Sequence, residues 1–122
     1  MSRPIELLHK LMAATAARDT DAFVSAFAPD VEYHYHVGSR PLIGREWVER
    51  FITKYWANHS ETNWTLVNWA ENGDILMTEG IEEYVNADGV TVAHPYMGVI
   101  EFKDGKIIAW RDYFQMNDPA AA

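Results

Sequence analysis

Two segments in the first half of the chain carry hydrophobic residues at the three- and four-residue spacing of an amphipathic helix. They are residues 4–19 and 45–60, and Pro4 suits the first turn of the former, where its missing N–H would have no partner. The positions predicted to face a core are Ile5, Leu8, Leu11, Met12 and Thr15 in the first helix and Trp47, Val48, Phe51, Ile52 and Trp56 in the other.

Two shorter elements are predicted between these helices. Residues 19–30 are expected to contain a short helix that Asp19 or Thr20 caps and Pro29 ends, since proline cannot continue a helix. A short strand is predicted next, over residues 31–37, and leads into a loop.

The second half of the chain has the alternation and the turn signals of a sheet. Each of the three junctions between its segments holds Asn-Gly or Asp-Gly, pairs that tolerate the positive φ of hairpin turns. Such short connections predict a mostly antiparallel meander, and helices followed by strands indicate an α+β fold. We expect a strongly bent sheet that wraps around the N-terminal helices as a cone with a hollow, with Gly80 and Gly98 as bend or bulge points. The four predicted strands are residues 63–70, 74–85, 91–102 and 106–116.

The composition suits a single domain over residues 1–122, with 118–122 as a frayed tail. A net charge of -8 without a basic cluster argues against nucleic acid as a partner, because such a surface repels phosphates. Cysteine is absent, which excludes disulfides and thiolate chemistry and fits a cytoplasmic location. Glu6, His9 and Lys10 interrupt the apolar run that a signal peptide needs, and no segment has the roughly 18 apolar residues of a membrane span.

The last predicted strand places a carboxylate between aromatic rings. Side chains alternate along a strand, so Asp112 shares a face with Trp110 and Phe114. If that face lines the hollow, lost hydration raises the pKa of Asp112, and Trp110 adds to this effect. Asp112 is therefore a candidate acid or base. The alternative is a structural carboxylate that bonds the backbone or an arginine at a sheet edge. The full predicted face is Ile108, Trp110, Asp112 and Phe114.

The preceding strand offers a partner for this carboxyl group. His94 belongs to its predicted inward face, so the imidazole would enter the same hollow and, when charged, lower the pKa of Asp112. Such a pair can divide acid and base roles near neutral pH and speed proton transfer by roughly 10² to 10⁴. Alternatively, Pro95 kinks the strand and turns His94 outward. The predicted inward face is His94, Tyr96, Gly98, Ile100 and Phe102.

Tyrosines supply further hydroxyl groups. Tyr33 and Tyr35 are expected on the strand face opposite His34 and His36, toward the hollow, where together with Tyr96 they would orient a substrate or stabilise an oxyanion. His34 and His36 have a spacing known from metal sites, but no third ligand is evident. We therefore interpret the two histidines as surface or interface residues.

Glu82 lies in a strand whose buried face the sequence leaves undecided. Ile75, Met77 and Ile81 favour the odd-numbered positions as the buried set. Glu82 would then face outward, unless Gly80 introduces a bulge. Among the tryptophans, we expect Trp110 at the hollow and the others in the core or at a subunit interface. Those others are Trp47, Trp56, Trp64 and Trp69.

Several segments resemble a known superfamily. The stretches AFAPDVEY and GREWVERF and the terminal DGKIIAWRDYF are similar to nuclear transport factor 2-like proteins, and most of all to SnoaL-like proteins and limonene-1,2-epoxide hydrolase. VGSRPLIGRE is similar to ketosteroid isomerase. The resemblance covers about residues 5–117, and its most specific part is DGKIIAWRDYF. It implies a cone with a deep apolar pocket, in a homodimer, within a superfamily of enzymes, binding proteins and adaptors.

The resemblance also assigns individual positions. It places Asp112 at a catalytic aspartate of the epoxide hydrolase and Tyr33 at a tyrosine that holds the attacking water. Glu82 stands where the hydrolase has its second aspartate. Tyr35 stands where the hydrolase has an asparagine, near the position of the isomerase's general base. Gly80 stands where the hydrolase has an arginine. The resemblance thus implies two acids without the arginine that would orient them.

These features predict a SnoaL-like enzyme that uses cofactor-free acid-base chemistry, a cyclisation or an isomerisation, on a small apolar substrate. The alternatives are epoxide hydrolysis by an altered acid pair and a non-catalytic binding or adaptor domain. No motif requires a metal or cofactor, and the expected partners are the small molecule and a second copy of the chain. The candidate catalytic residues are Asp112, His94 and Glu82, and the candidate substrate-binding residues are Tyr33, Tyr35, Tyr96, Trp110 and Phe114.

Overall fold

The computed structural model of the protein describes residues 2–115. It is an α+β fold with three helices and one six-stranded sheet among those residues. The frayed tail predicted at 118–122 lies outside the described residues. The elements are α1 (Pro4–Ala17), α2 (Thr20–Ser25), β1 (Phe27–His34), β2 (Leu42–Ile43), α3 (Arg45–Asn58), β3 (Thr62–Asn72), β4 (Ile75–Val85), β5 (Thr91–Lys103) and β6 (Lys106–Phe114).

The predicted long helices are confirmed as α1 and α3, and local chemistry explains the ends of α1. Pro4 lies in its first turn, and the Glu6 carboxylate accepts a hydrogen bond of 3.0 Å from the backbone N–H of Arg3. Arg18 closes the helix in the left-handed conformation, with φ 51°. Because its apolar side chains share one stripe, α1 buries Ile5 and Leu8 against the sheet.

The short helix α2 has the cap but not the end that the sequence indicates. Asp19 is the cap, since its side chain accepts a hydrogen bond of 3.1 Å from the Ala22 N–H. The prediction that Pro29 ends this helix was wrong, because α2 ends at Ser25 and Pro29 lies inside β1. The β1–β6 pairing is irregular between Phe27 and Glu32, so a residue without an N–H is tolerated there.

The sheet is mostly antiparallel, as predicted, with the order β2-β1-β6-β5-β4-β3. Only the β1–β6 pair is parallel among the described strands. The sheet does not close on itself, because its edges are β2 and β3. The helices cover its inner face, so the core lies between that face and α1, α2 and α3. No helix in the described part of the chain has the length and apolarity needed to cross a membrane.

Two predictions about strand faces were wrong. In β4 the even-numbered residues point inward: Leu76 is 0 % exposed, whereas Met77 is 43 % exposed. Apolar residues occupy both faces of this strand, so alternation alone could not identify the covered one. In β6 the β5–β6 register shifts between Glu101 and Phe102, and Ile107 rather than Ile108 enters the core.

The two strand glycines permit close approaches instead of forming bulges. The irregularity predicted near Gly80 lies in β3, at Val67, opposite it. A Cβ at Gly80 would lie 2.3 Å from a backbone oxygen of Thr65, and one at Gly98 would lie 2.5 Å from Asp112 Oδ1. Gly98 therefore provides the space that the Asp112 carboxyl group occupies.

Candidate functional site

A hollow between the helices and the inner face of the sheet has a cavity volume of about 60 Å³. We call it the inner hollow. Its wall is mainly aromatic, with two carboxyl groups and a few small polar side chains, and no Lys or Arg is among the residues that line it. The lining residues are Thr15, Phe23, Tyr33, Phe51, Ile52, Tyr55, Thr62, Asn63, Trp64, Glu82, Tyr96, Trp110 and Asp112.

Asp112 is buried in the wall of this hollow, 6 % exposed, on the face that alternation predicts. The Trp110 Nε1–H donates a hydrogen bond of 2.8 Å to its Oδ1. Burial raises the pKa of Asp112 well above its ordinary value, the Trp110 bond partly opposes this, and the nearby Glu82 raises it further. Within residues 2–115, the Asp112 carboxyl group is thus bonded by an indole N–H and held toward a mainly aromatic space.

Glu82 also borders the inner hollow, so its outward orientation, expected from the sequence in the absence of a bulge, is wrong. It pairs with His94 across β4 and β5, and both lie on the inward face. The Tyr55 hydroxyl donates a hydrogen bond of 2.5 Å to Glu82 Oε1, a length typical of a donor to a carboxylate. Burial raises the pKa of Glu82, and the Tyr55 bond opposes that shift.

Two tyrosines complete the polar side of this wall. Tyr33 is 7 % exposed, and its ring lies against Phe27, Phe51 and Trp110. Tyr96 accepts a hydrogen bond from the Trp64 indole N–H. Burial raises the pKa of both hydroxyls, with a further contribution from Asp112, so both remain neutral O–H groups that can donate.

A second hollow shares part of its wall with the first and has a cavity volume of about 170 Å³. We call it the outer hollow. It is bordered by Tyr35, His36, Tyr84, His94 and Phe114, and it shares Tyr33, Phe51, Tyr55, Glu82 and Asp112 with the inner hollow.

His94 occupies the wall of the outer hollow. It is 4 % exposed, so Pro95 does not turn it outward. Its Nε2 lies 2.9 Å from the Tyr84 hydroxyl, a partner that the sequence analysis did not identify. His94 and Asp112 thus border one space, and the Asp112 carboxyl group accepts a hydrogen bond from Trp110.

The two histidines considered as metal ligands, His34 and His36, lie in different environments. His34 Nε2 lies 2.7 Å from Glu32 Oε1, whereas His36 borders the outer hollow, because regular alternation stops where β1 ends at His34. The prediction that the two histidines share a face was therefore wrong. The described residues contain no cluster of three or more groups able to hold a metal ion.

The tryptophans lie in different environments. Trp56 is in the core at 6 % exposed, as expected. Trp47 and Trp69 are 50 % and 43 % exposed, and Trp64 lines the inner hollow. Arg111 pairs with Glu101 at 2.6 Å, away from the hollows, as its place on the opposite face of β6 predicts.

Sequence reasoning missed Tyr55. This residue lies four positions after Phe51 and three after Ile52, both of which were predicted to face inward, so the helical spacing contained the signal. Trp64 was expected in the core or at an interface, because no pattern in its strand indicates a pocket.

The chain matches a known protein family. The family model described as a SnoaL-like domain matches residues 8–110 of the sequence. No curated protein sequence matches the chain significantly.

Among solved structures, an NTF2-like protein of unknown function from Burkholderia pseudomallei has a TM-score of 0.84 at 21% identity, over 94% of this chain and 92% of that one. An LEH-like epoxide hydrolase from M. tuberculosis has a TM-score of 0.82 at 22% identity, over 92% and 82%. A protein assigned as a SnoaL-like polyketide cyclase, from Shewanella denitrificans, has a TM-score of 0.83 at 11% identity, over 92% and 90%.

These structures share the fold of this chain at identities too low to transfer an activity. The family match spans most of the chain. It includes the whole of β1, β4 and β5, and it includes β6 as far as Trp110. With its NTF2-like fold, this chain belongs to the family of SnoaL-like domains.

Proposed function

We propose that this protein is an enzyme that performs cofactor-free acid-base chemistry on a small, largely apolar molecule. The observation that carries the proposal is the placement of two desolvated carboxyl groups, Asp112 and Glu82, on one wall of an aromatic hollow. Burying two acids in a wall with no Lys or Arg among its described lining residues costs free energy, which a merely structural role would not require here. Perturbed acids in a cleft are typical of catalytic sites.

The environments of the two acids favour different chemical roles for them. Ionised Glu82 raises the pKa of Asp112 further, which favours an arrangement in which Asp112 keeps its proton. The short bond from Tyr55 favours the ionised form of Glu82, and the deeper burial of Asp112 favours its neutral form. Asp112 would then be the general acid and Glu82 the general base.

A proton transfer at a carbon next to a carbonyl fits this arrangement. The Glu82 carboxylate would remove the proton from carbon, and Asp112 would deliver its own proton to the carbonyl oxygen, leaving a neutral enol. Tyr33 and Tyr96 would orient that oxygen by hydrogen bonds. Return of the proton at another carbon gives an isomerisation, and attack of the enol carbon on a second carbonyl gives a cyclisation of the kind named for the Shewanella denitrificans neighbour.

Epoxide hydrolysis is the second candidate, because the similarity to the LEH-like hydrolase accompanies two acids that border one hollow. One acid would activate a water and the other would protonate the epoxide oxygen. Gly80 stands where that enzyme class is expected to hold an arginine, and the Tyr96 ring occupies the space beside it. We rank this candidate second for that reason.

The proposal includes a homodimer acting in the cytoplasm. Its support is an apolar patch on the outer face of the sheet, away from both hollows. Such patches are typical of interaction sites. The patch is Val67 at 52%, Met77 at 43%, Met97 at 60% and Tyr113 at 50% exposed.

Turnover assays on Asp112→Asn test the catalytic proposal. The purified chain is assayed with limonene epoxide and with 5-androstene-3,17-dione, a β,γ-unsaturated steroid ketone, as substrates of the two candidate reactions. We expect turnover of one class by the native chain and a loss of at least about 100-fold in Asp112→Asn, since general acid-base groups contribute about 10² to 10⁴. Full activity of the variant overturns the assignment, and saturable binding without product by the native chain favours a binding domain.

A further inference from the structure

The two hollows share part of their walls, and both acids lie in the shared part. Glu82 and Asp112 border both, together with Tyr33, Phe51 and Tyr55. A molecule confined to either hollow would present only one end to the acids. A molecule that extends through both would present a bond near its middle.

The chemistry of the two walls differs. Half of the side chains that border only the inner hollow offer surface suited to an apolar group, namely Phe23, Ile52, Trp64 and Trp110. The other half are polar, namely Thr15, Thr62, Asn63 and Tyr96. The outer hollow adds His36, His94 and further ring hydroxyls. Imidazole N–H groups donate to carbonyl, hydroxyl and carboxylate oxygens, so this end suits an oxygen-bearing group.

We propose that the inner and outer hollows are two halves of one elongated binding site for an amphipathic ligand. Its apolar ring or chain lies in the inner hollow, its oxygen-bearing end lies against His36 and His94, and the bond between them lies at Glu82 and Asp112. The identity of the reacting bond rests on the proposed function, whereas the binding geometry does not.

Binding of matched probes to the purified chain tests this geometry. Phenylhexanol carries both ends, hexylbenzene lacks the hydroxyl group, and ethylbenzene carries only the apolar end. Joining two groups that occupy adjacent sites raises affinity because the second group binds at a high effective concentration. We expect phenylhexanol to bind at least about tenfold more tightly than ethylbenzene by calorimetry. The indole N–H signals of Trp64 and Trp110 should shift in NMR spectra with both probes.

Variants of each wall separate the two halves. Thr15→Phe fills the inner hollow and should weaken both ethylbenzene and phenylhexanol. His36→Leu removes a donor from the outer hollow and should weaken phenylhexanol to the level of hexylbenzene, with ethylbenzene unchanged. His34→Leu is the matched control, since His34 contacts Glu32 and borders neither hollow.

Equal affinities for phenylhexanol and ethylbenzene, or identical effects of the two wall variants on both probes, would overturn the elongated site. These outcomes do not depend on turnover. Unchanged catalysis by Asp112→Asn would remove the proposed function while the probe results stood.

Discussion

Replacing Asp112 with asparagine should change how the stability of the protein depends on pH. Burial raises the pKa of Asp112 in the folded chain above the value of about 3.9 for an exposed aspartate. Below that value both the folded and the unfolded chain carry the proton, so the group contributes no pH dependence. As the pH rises, the unfolded chain ionises while the folded chain keeps its proton, and the protein loses stability until the pH passes the folded pKa.

The size of this loss follows from the protons bound by each state. While the folded carboxyl stays neutral and the unfolded one is ionised, the free energy of unfolding falls by about 1.4 kcal/mol for each pH unit. Between about pH 5 and pH 7 this amounts to at most about 2.7 kcal/mol. That is a large part of the roughly 5–15 kcal/mol that stabilises a typical domain. Asp112→Asn has no proton to lose and should escape this decrease.

Urea unfolding followed by far-ultraviolet circular dichroism, at a series of pH values from about 4 to 8, measures the effect. The difference in free energy of unfolding between Asp112→Asn and the native chain should grow in favour of the variant as the pH rises. The amide accepts the Trp110 hydrogen bond as the carboxyl does, so any cost of its extra N–H groups is a constant offset. Asp30→Asn, at an exposed position of β1, is the control and should run parallel to the native chain over this range.

Parallel curves for Asp112→Asn and the native chain would refute the reasoning, because they would mean that the folded state ionises the carboxyl as easily as the unfolded state does. A difference that shrinks with rising pH would also refute it. That result would require a folded-state pKa below the ordinary value.

Two further predictions follow from the same structure. Tyr55→Phe removes the donor to Glu82 and should raise the pKa of Glu82 further, seen as a protonated carboxyl band that persists to higher pH in infrared spectra. Neutral Asp112 absorbs in the same region, so the Glu82 contribution is the part of the band that Glu82→Gln lacks. A pH midpoint of that part equal to its midpoint in the native chain contradicts the role of Tyr55. Met97→Glu places a charge in the outer apolar patch and should convert a dimer into a monomer by light scattering. Lys54→Glu, at an exposed position of α3 and therefore on the other side of the sheet, should leave the mass unchanged. A native chain that is already monomeric refutes the dimer.

Local pattern in the sequence is sufficient for most of the fold. Helical spacing identifies α1 and α3, and Asn-Gly and Asp-Gly pairs identify the hairpins, because these signals depend only on neighbouring residues. Alternation also predicts that Asp112 and His94 face inward, since regular pairing keeps Tyr96, Gly98 and Ile100 opposite Phe114, Asp112 and Trp110.

Tertiary structure decided what local pattern leaves open. β4 has apolar residues on both faces, so its buried face depends on which side of the sheet the helices cover. The position of Glu82 depends on the same choice. The choice of Ile107 over Ile108 depends on a register shift against β5, and one extra residue reverses every side chain beyond it. The contact of Tyr55 with Glu82 joins residues 27 positions apart in sequence, and only the packing of α3 over the sheet brings them together.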